Sequence, residues 1–274
     1  MIYGIVYSRK DPAGTGVAAK IKEYLKPREY SLCRDSVECY CGDNYVLACF
    51  EEDVIFFDFL DERLPSVDKY IVLSRHSSSA GVKSYTVHHT GNPGNEALYG
   101  GRPRSLAVAS PKTTYTLLVK LYDYARIFGR DKEYDVSYEA THHGPTEVDK
   151  PLTFIEIGSS EEEWNDSVNH EVLARTVIWL LENGELECTP VIGVGGGHYP
   201  RKHTALALSK KYCYGHIFAK YSLNALDEEL LAKAVERSVP KPEIIVVEKK
   251  GTRRQHRLLI EDFASKNNLR VEYV

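Results

Sequence analysis

Apolar residues follow two rhythms along this chain. Short apolar blocks at 2–7, 46–50, 54–57, 70–73, 85–88, 134–140, 154–157, 190–194, 217–219, 244–247 and 270–274 predict buried strands. Between them, apolar positions three and four apart predict helices over 12–25, 111–128, 161–183, 204–212 and 227–237, with a last one ending at Ala264. Local signals mark the ends: Pro12 behind Asp11, Pro111 behind Ser110, Gly129 after Phe128, and Ser160-Glu161-Glu162-Glu163 as a capping box with its acids in the favourable first turn. Strands alternating with helices predict an α/β fold, a mostly parallel mixed sheet with helices on both faces, joined by a smaller α/β lobe. The expected division is a small N-terminal lobe over 1–65, which 240–274 can complete, and a main domain over 66–239 that carries the chemistry.

Charge and composition narrow the function classes. A formal net charge of −4 over 274 residues argues against a general nucleic-acid coat, because sequence-independent binding sets many Lys and Arg against phosphates. A local basic patch stays open. No apolar run approaches the roughly 20 residues of a membrane helix, and Met1-Ile2-Tyr3-Gly4 leads straight into a strand, so a cytoplasmic protein with no membrane partner is expected. The six cysteines form no C-x-x-C pair and are expected as free buried thiols. A single Met and a single Gln among abundant Glu and Lys point to a hot-living source, in which an intracellular disulfide is also allowed.

Candidate chemistry concentrates in the histidines. Seven of the ten, His76, His88, His89, His142, His143, His198 and His203, fall at expected strand ends or in the glycine loop Gly193-Val194-Gly195-Gly196-Gly197-His198. Glu156 is a lone carboxylate in an apolar strand, costly there unless something positive or hydrogen-bonding meets it. Successive strand side chains point to opposite faces, so within His88-His89 and His142-His143 one member of each pair is expected in the site unless the backbone turns. Pro200 places His198 in the loop and His203 in the first helical turns, where they can still converge. Three imidazoles around an open position would make a catalytic zinc site. The spacing matches no helical zinc signature, and a metal-free site is the rival: a histidine held by Glu156 activates water while the Gly195-Gly196-Gly197 amides hold an oxyanion. Three consecutive glycines also imply close approach of a ligand. Gly14-Thr15-Gly16 lacks the rest of a phosphate loop. The strongest basic run, Lys249-Lys250-Gly251-Thr252-Arg253-Arg254-Gln255-His256-Arg257, is a solvated turn or a polyanion contact.

Taken together, Ser74-Arg75-His76, Val87-His88-His89-Thr90-Gly91-Asn92, Glu139-Ala140-Thr141-His142-His143-Gly144-Pro145, Glu156-Ile157-Gly158-Ser159, Gly193-Val194-Gly195-Gly196-Gly197-His198-Tyr199 and Gly215-His216-Ile217 resemble the archaeal-type D-aminoacyl-tRNA deacylase, a family found also in plants. The resemblance implies hydrolysis of the ester between a D-amino acid and the 3′ end of tRNA, zinc dependence, and an α/β architecture akin to phosphorylase and peptidyl-tRNA hydrolase folds. Matched to its motifs, His142, His143, Glu156, His198 and His203 are expected in the site, with His76 and His88 beside them. We read Glu156 and His143 as catalytic and His88, His142, His198 and His203 as ligands of Zn2+. His76, Ser78, Gly195, Gly196, Gly197 and Lys202 are read as substrate contacts, and Lys250, Arg253, Arg254 and Arg257 as tRNA contacts. The expected partner is tRNA, with no DNA and a monomeric state. The competing classes are a non-catalytic tRNA-binding module with a structural metal and a phosphate-dependent nucleoside phosphorylase.

Overall fold

In the computed structural model, which describes residues 1–78 and 81–274, the chain builds two main sheets and a two-stranded ribbon of Gly91–Asn92 with Ser105–Leu106. The larger has eight strands in the order Arg28–Glu29, Glu38–Cys41, Tyr45–Phe50, Tyr3–Ser8, Lys69–Ser77, Leu152–Ser159, Ser84–His88 and Asp135–Tyr138. Its four central strands, from Tyr45–Phe50 to Leu152–Ser159, run parallel, and antiparallel pairings flank them. Such strands, covered on both sides, need near-continuous apolar sequence. Tyr3–Ser8 and Tyr45–Phe50 are accordingly buried along their whole length. The smaller sheet is all parallel, in the order Tyr212–Phe218, Thr189–Val194, Ile244–Val247, Arg270–Tyr273. The α/β class and the mixed, mostly parallel sheet are as the apolar rhythm predicts.

Caps fix the helices that pack on these sheets. Asp11 accepts the Gly14 amide at 3.0 Å and starts Pro12–Leu25, the helix expected there. The stretch expected as one helix over 161–183 is two, Glu161–Asn165 and Ser167–Asn183. Asp166 leaves helical geometry between them, and its carboxylate accepts the Val168 amide at 2.7 Å to cap the second. The apolar block 54–57 is a 3₁₀ turn, Val54–Phe56, because Val54 and Phe57, three apart, turn inward while Phe56 faces out. Polar sequence hid two further strand segments: Lys69–Ser77 runs past the expected Leu73, and Tyr212–Phe218 begins well before the expected Ile217. Ser79 and Ala80 of the serine loop lie outside the described residues.

The strands also assort differently from the expected lobes. Residues 1–65 contribute strands to the large sheet beside Lys69–Ser77, whereas 240–274 pair with Thr189–Val194 in the small one. Parallel register, Val191 on Ile244 through Val194 on Val247, is what draws the C-terminal segment there. Four of the six cysteines are paired, against expectation. Cys33 meets Cys39, and Cys188 meets Cys213 with Cα atoms 5.7 Å apart, because Thr189–Val194 and Tyr212–Phe218 are neighbours in register; Cys41 and Cys49 are free. No helix among the described residues is long and apolar enough to cross a membrane.

Candidate active site

Strand register assembles the first part of the site. Gly158 lies opposite both His76 and Ser84, Glu156 opposite Ser74 and Thr86, and Phe154 opposite His88. Side chains alternate along each strand, so His76, Glu156 and His88 share one face of the sheet. Gly158 keeps room there, since a Cβ would stand 2.6 Å from Ser84 Oγ and 3.0 Å from His76 Cδ2. The segment after Asp135–Tyr138 crosses this face, held by Glu139 N–H to Val87 O at 3.1 Å and Thr141 N–H to Ile217 O at 2.9 Å. His143 takes a positive φ of 44°, and this turn brings both His142 and His143 inward, their rings 4.3 Å apart. The loop residue His198 arrives from the small sheet, its ring 4.7 Å from that of His142.

These side chains line a cavity of about 480 Å³, walled by His76, His142, His143, Glu156 and His198 and rimmed by Ile55 and the exposed Tyr99. Two buried carboxylates meet these histidines. Glu139, in an expected strand but not singled out, sets Oε1 3.0 Å from His76 Nδ1 and Oε2 3.1 Å from His198 Nε2 and 3.5 Å from His142 Nε2. Glu156 Oε2 is 3.4 Å from His76 Nδ1 and 3.6 Å from His88 Nε2. Glu139 was legible as an acid ending an apolar run three residues before a histidine pair. Tyr199 is a second addition, its hydroxyl 2.7 Å from His76 Nε2. Ser78, just past the end of strand Lys69–Ser77, bonds Tyr199.

Burial alone would hold these carboxyls neutral, yet the charges and contacts of the histidines keep both ionised. Glu139 is drawn down to about 2 by His198 and its neighbours, and Glu156 falls further through His76 and His88. Burial works against a charge on His76, but Glu156 and Glu139 outweigh it and raise the ring to about 9; His88 is raised likewise. His142 and His143 go the other way, burial first and neighbouring rings second: His143 falls to about 4 and His142 well below its usual range. At neutral pH the site therefore holds two ionised carboxylates, a charged His76 and neutral His142 and His143.

The tautomers follow from the backbone. His88, His142 and His143 each set Nδ1 against a carbonyl oxygen, of His89 at 3.3 Å, Ala140 at 2.8 Å and Gly144 at 2.6 Å. A carbonyl only accepts, so Nδ1 carries the hydrogen and Nε2 presents a lone pair. In two of the rings that lone pair faces a carboxylate oxygen. His88 Nε2, Glu156 Oε2 and both oxygens of Glu139 are buried without a well-formed hydrogen bond. Acceptors converging on acceptors call for a cation, a proton or a metal ion. Ligand atoms of His88, His142 and His143 lie within 4.8 Å of one another, as do those of His76, Glu139 and His198, and those of His88, Glu139 and Glu156. These residues can hold a metal ion.

Other expected site residues are elsewhere. His203 joins none of these groups among the described residues; it is buried at the start of helix Arg201–Lys210, with Nδ1 3.1 Å from the Tyr214 hydroxyl, so helix and strand Tyr212–Phe218 close over it. His89 faces away from the cavity, between Gly215 O and the Ser110 amide. The glycine loop has a structural neighbour where a ligand was expected. A Cβ on Gly195 would stand 2.9 Å from Glu248 Cβ, and one on Gly251 would stand 2.8 Å from Gly196 N, so two backbone segments meet there. The Gly195 amide donates to Phe218 O at 2.8 Å and is not available to an oxyanion. Lys202, Lys250, Arg253 and Arg254 are exposed, and Arg257 donates to Thr252 O at 2.8 Å.

Residues 64–272 match the family model described as D-aminoacyl-tRNA deacylase. The chain belongs to the D-aminoacyl-tRNA deacylase family. It is 58% identical to the D-aminoacyl-tRNA deacylase of Staphylothermus marinus over all of this chain and 99% of that one, and 34% identical to that of Pyrococcus furiosus over 98% of each. A crystal structure described as a conserved protein of unknown function superposes with a TM-score of 0.92 at 32% identity, over 99% of this chain and 95% of that one. The deacylase family match thus spans Glu139, Glu156 and every histidine of the cavity.

Proposed function

We propose that this chain hydrolyses the ester between a D-amino acid and the 3′ end of tRNA, freeing both, in the cavity lined by Glu156 and by the histidines that Glu139 holds. The observation that carries the reading is the pairing of two ionised, buried carboxylates with imidazoles whose bare Nε2 atoms converge on them. Zinc suits a set of neutral imidazoles; His88, His142 and His143 would hold it, and when bound it would lower the pKa of a coordinated water toward ~7.

The protein's own groups do the rest. Glu156 Oε2 is the base that takes a proton from the attacking water, and an aminoacyl ester is activated enough for a single poised base to suffice. Glu139 fixes His76, His142 and His198 from below. His76, charged at neutral pH, returns a proton toward the departing 3′ oxygen, with Tyr199 steadying its far nitrogen. Lys250, Arg253, Arg254 and Arg257 meet the tRNA backbone outside the cavity. The test is incubation with a D-aminoacyl-tRNA and its L counterpart, with and without a chelator, in phosphate-free buffer. Release from the D ester alone, lost on chelation and restored by zinc, is expected. Turnover that needs inorganic phosphate would point to a phosphorylase instead.

A further inference from the structure

The loop that delivers His198 borders a second cleft on its other side. This cleft, of about 270 Å³, is lined by Lys202, Lys220 and Lys250 together with Gly196, Gly197 and Glu248. Three lysines thus face one carboxylate. Arg201, also on its wall, is already paired with Asp135, but Lys202, Lys220 and Lys250 have no ion pair among the described residues. All three are exposed, so nothing in the fold requires them together.

Backbone donors point to the same chemistry. Lys220 N–H closes on Gly196 O at 2.9 Å, and Gly251 N–H on Glu248 O at 3.0 Å. The Gly196 and Gly197 amides donate to no acceptor among the described residues, and a Cβ on Gly197 would meet open space. Lysine ammoniums beside free amides form a set of donors with few acceptors, which suits a phosphate oxygen. Position identifies the source of that phosphate. His198 lines the histidine cavity while its chain neighbours Gly197 and Tyr199 line this cleft, and neighbouring Cα atoms are about 3.8 Å apart.

We infer that the cleft of Lys202, Lys220 and Lys250 holds a phosphodiester of the substrate's 3′ strand, one step from the ester in the histidine cavity. The inference rests on the proposed hydrolysis of a nucleic-acid ester and extends it to a second contact. Lys220, outside the basic run of 249–257, is the residue it singles out.

The test compares two D-amino acid esters, one of adenosine, which has no phosphate, and one of the cytidine-cytidine-adenosine trinucleotide, which has two. In the wild type the trinucleotide ester should have the higher kcat/KM. Lys220→Ala should lower the ratio of the two kcat/KM values about tenfold, and Lys220→Arg should keep most of it; a ratio unchanged in Lys220→Ala overturns the assignment. Binding of the uncharged trinucleotide, followed by fluorescence anisotropy, needs no turnover. There Lys220→Ala should reduce the slope of log Kd against log salt by about 0.7, the single-strand value for one phosphate contact. An unreduced slope counts against the cleft even if hydrolysis proceeds, and a reduced slope supports it even if neither ester is hydrolysed, in which case the hydrolytic reading is what fails. Displacement of the trinucleotide by micromolar inorganic phosphate would reassign the cleft to a free anion.

Discussion

His88 and His89 are neighbours in the chain and belong to different regions of the molecule. His88 faces the cavity, where its partners are carboxylates and other imidazoles; His89 faces inward, where its partners are a carbonyl, an amide and the Thr114 hydroxyl. His216 and His203 belong with His89. His216 bonds Ala107 O and Thr141 Oγ1, and His203 meets Tyr214. In this second region the rings of His89 and His216 match donors to acceptors and His203 leaves only Nε2 unpartnered, and burial holds all three neutral: His89 near 4, His203 near 4 and His216 near 3. In the first region acceptors face acceptors and the strain is met by added positive charge. His88 and His89 are both buried, so for this pair the charge of the partner decides which histidine is structural and which chemical.

The sharpest way to break this contrast is to remove a carboxylate. Glu139→Gln should lower turnover at least 100-fold, in line with the ~10²–10⁴ expected of a group organising acid–base chemistry. The amide keeps the shape of the side chain, so the protein should stay folded; thermal melts on the same sample check this. The second region should respond oppositely. His89→Leu strands Gly215 O, the Ser110 amide and the Thr114 hydroxyl, and should cost on the order of 3–5 kcal/mol by denaturant unfolding, at ~1–3 kcal/mol per orphaned buried group. Any protein still folded should turn over near the normal rate.

A smaller effect separates the regions by pH. His203 titrates near 4 in the fold and near 6.5 when unfolded, so its neutral form contributes stability that is present above pH ~6.5 and lost as pH falls toward 4. The loss is at most roughly 3 kcal/mol. His203→Asn should flatten that acid limb in denaturant titrations between pH 4 and 7, without moving the pH dependence of kcat. A change in the kcat profile would place His203 back with the site.

The sequence revealed the elements well and the partners less well. Asp11-Pro12, Ser110-Pro111 and the buried apolar strands are local signals, and the helices and strands they predict are present. What escaped depends on contacts distant in sequence. The polar end of Lys69–Ser77 is a strand only because Leu152–Ser159 lies beside it. His142 and His143 both face inward because of one positive φ, which no residue type announced. Glu139 was passed over because its stretch reads as an ordinary strand, although an acid so close to a histidine pair was a usable signal, and His203 drew notice by standing near His198 in the chain while the fold turned it toward Tyr214. Three glycines looked like space for a ligand and are largely space for the Glu248–Gly251 backbone.

The most direct measurement pairs single-turnover hydrolysis of a D-aminoacyl-tRNA with its binding affinity, in the wild type and in Glu156→Gln. With Glu156 as base, the variant should hydrolyse at least 100-fold more slowly while its Kd for tRNA stays within about twofold. Wild-type rates in the variant, or matched losses of rate and affinity, would contradict the account.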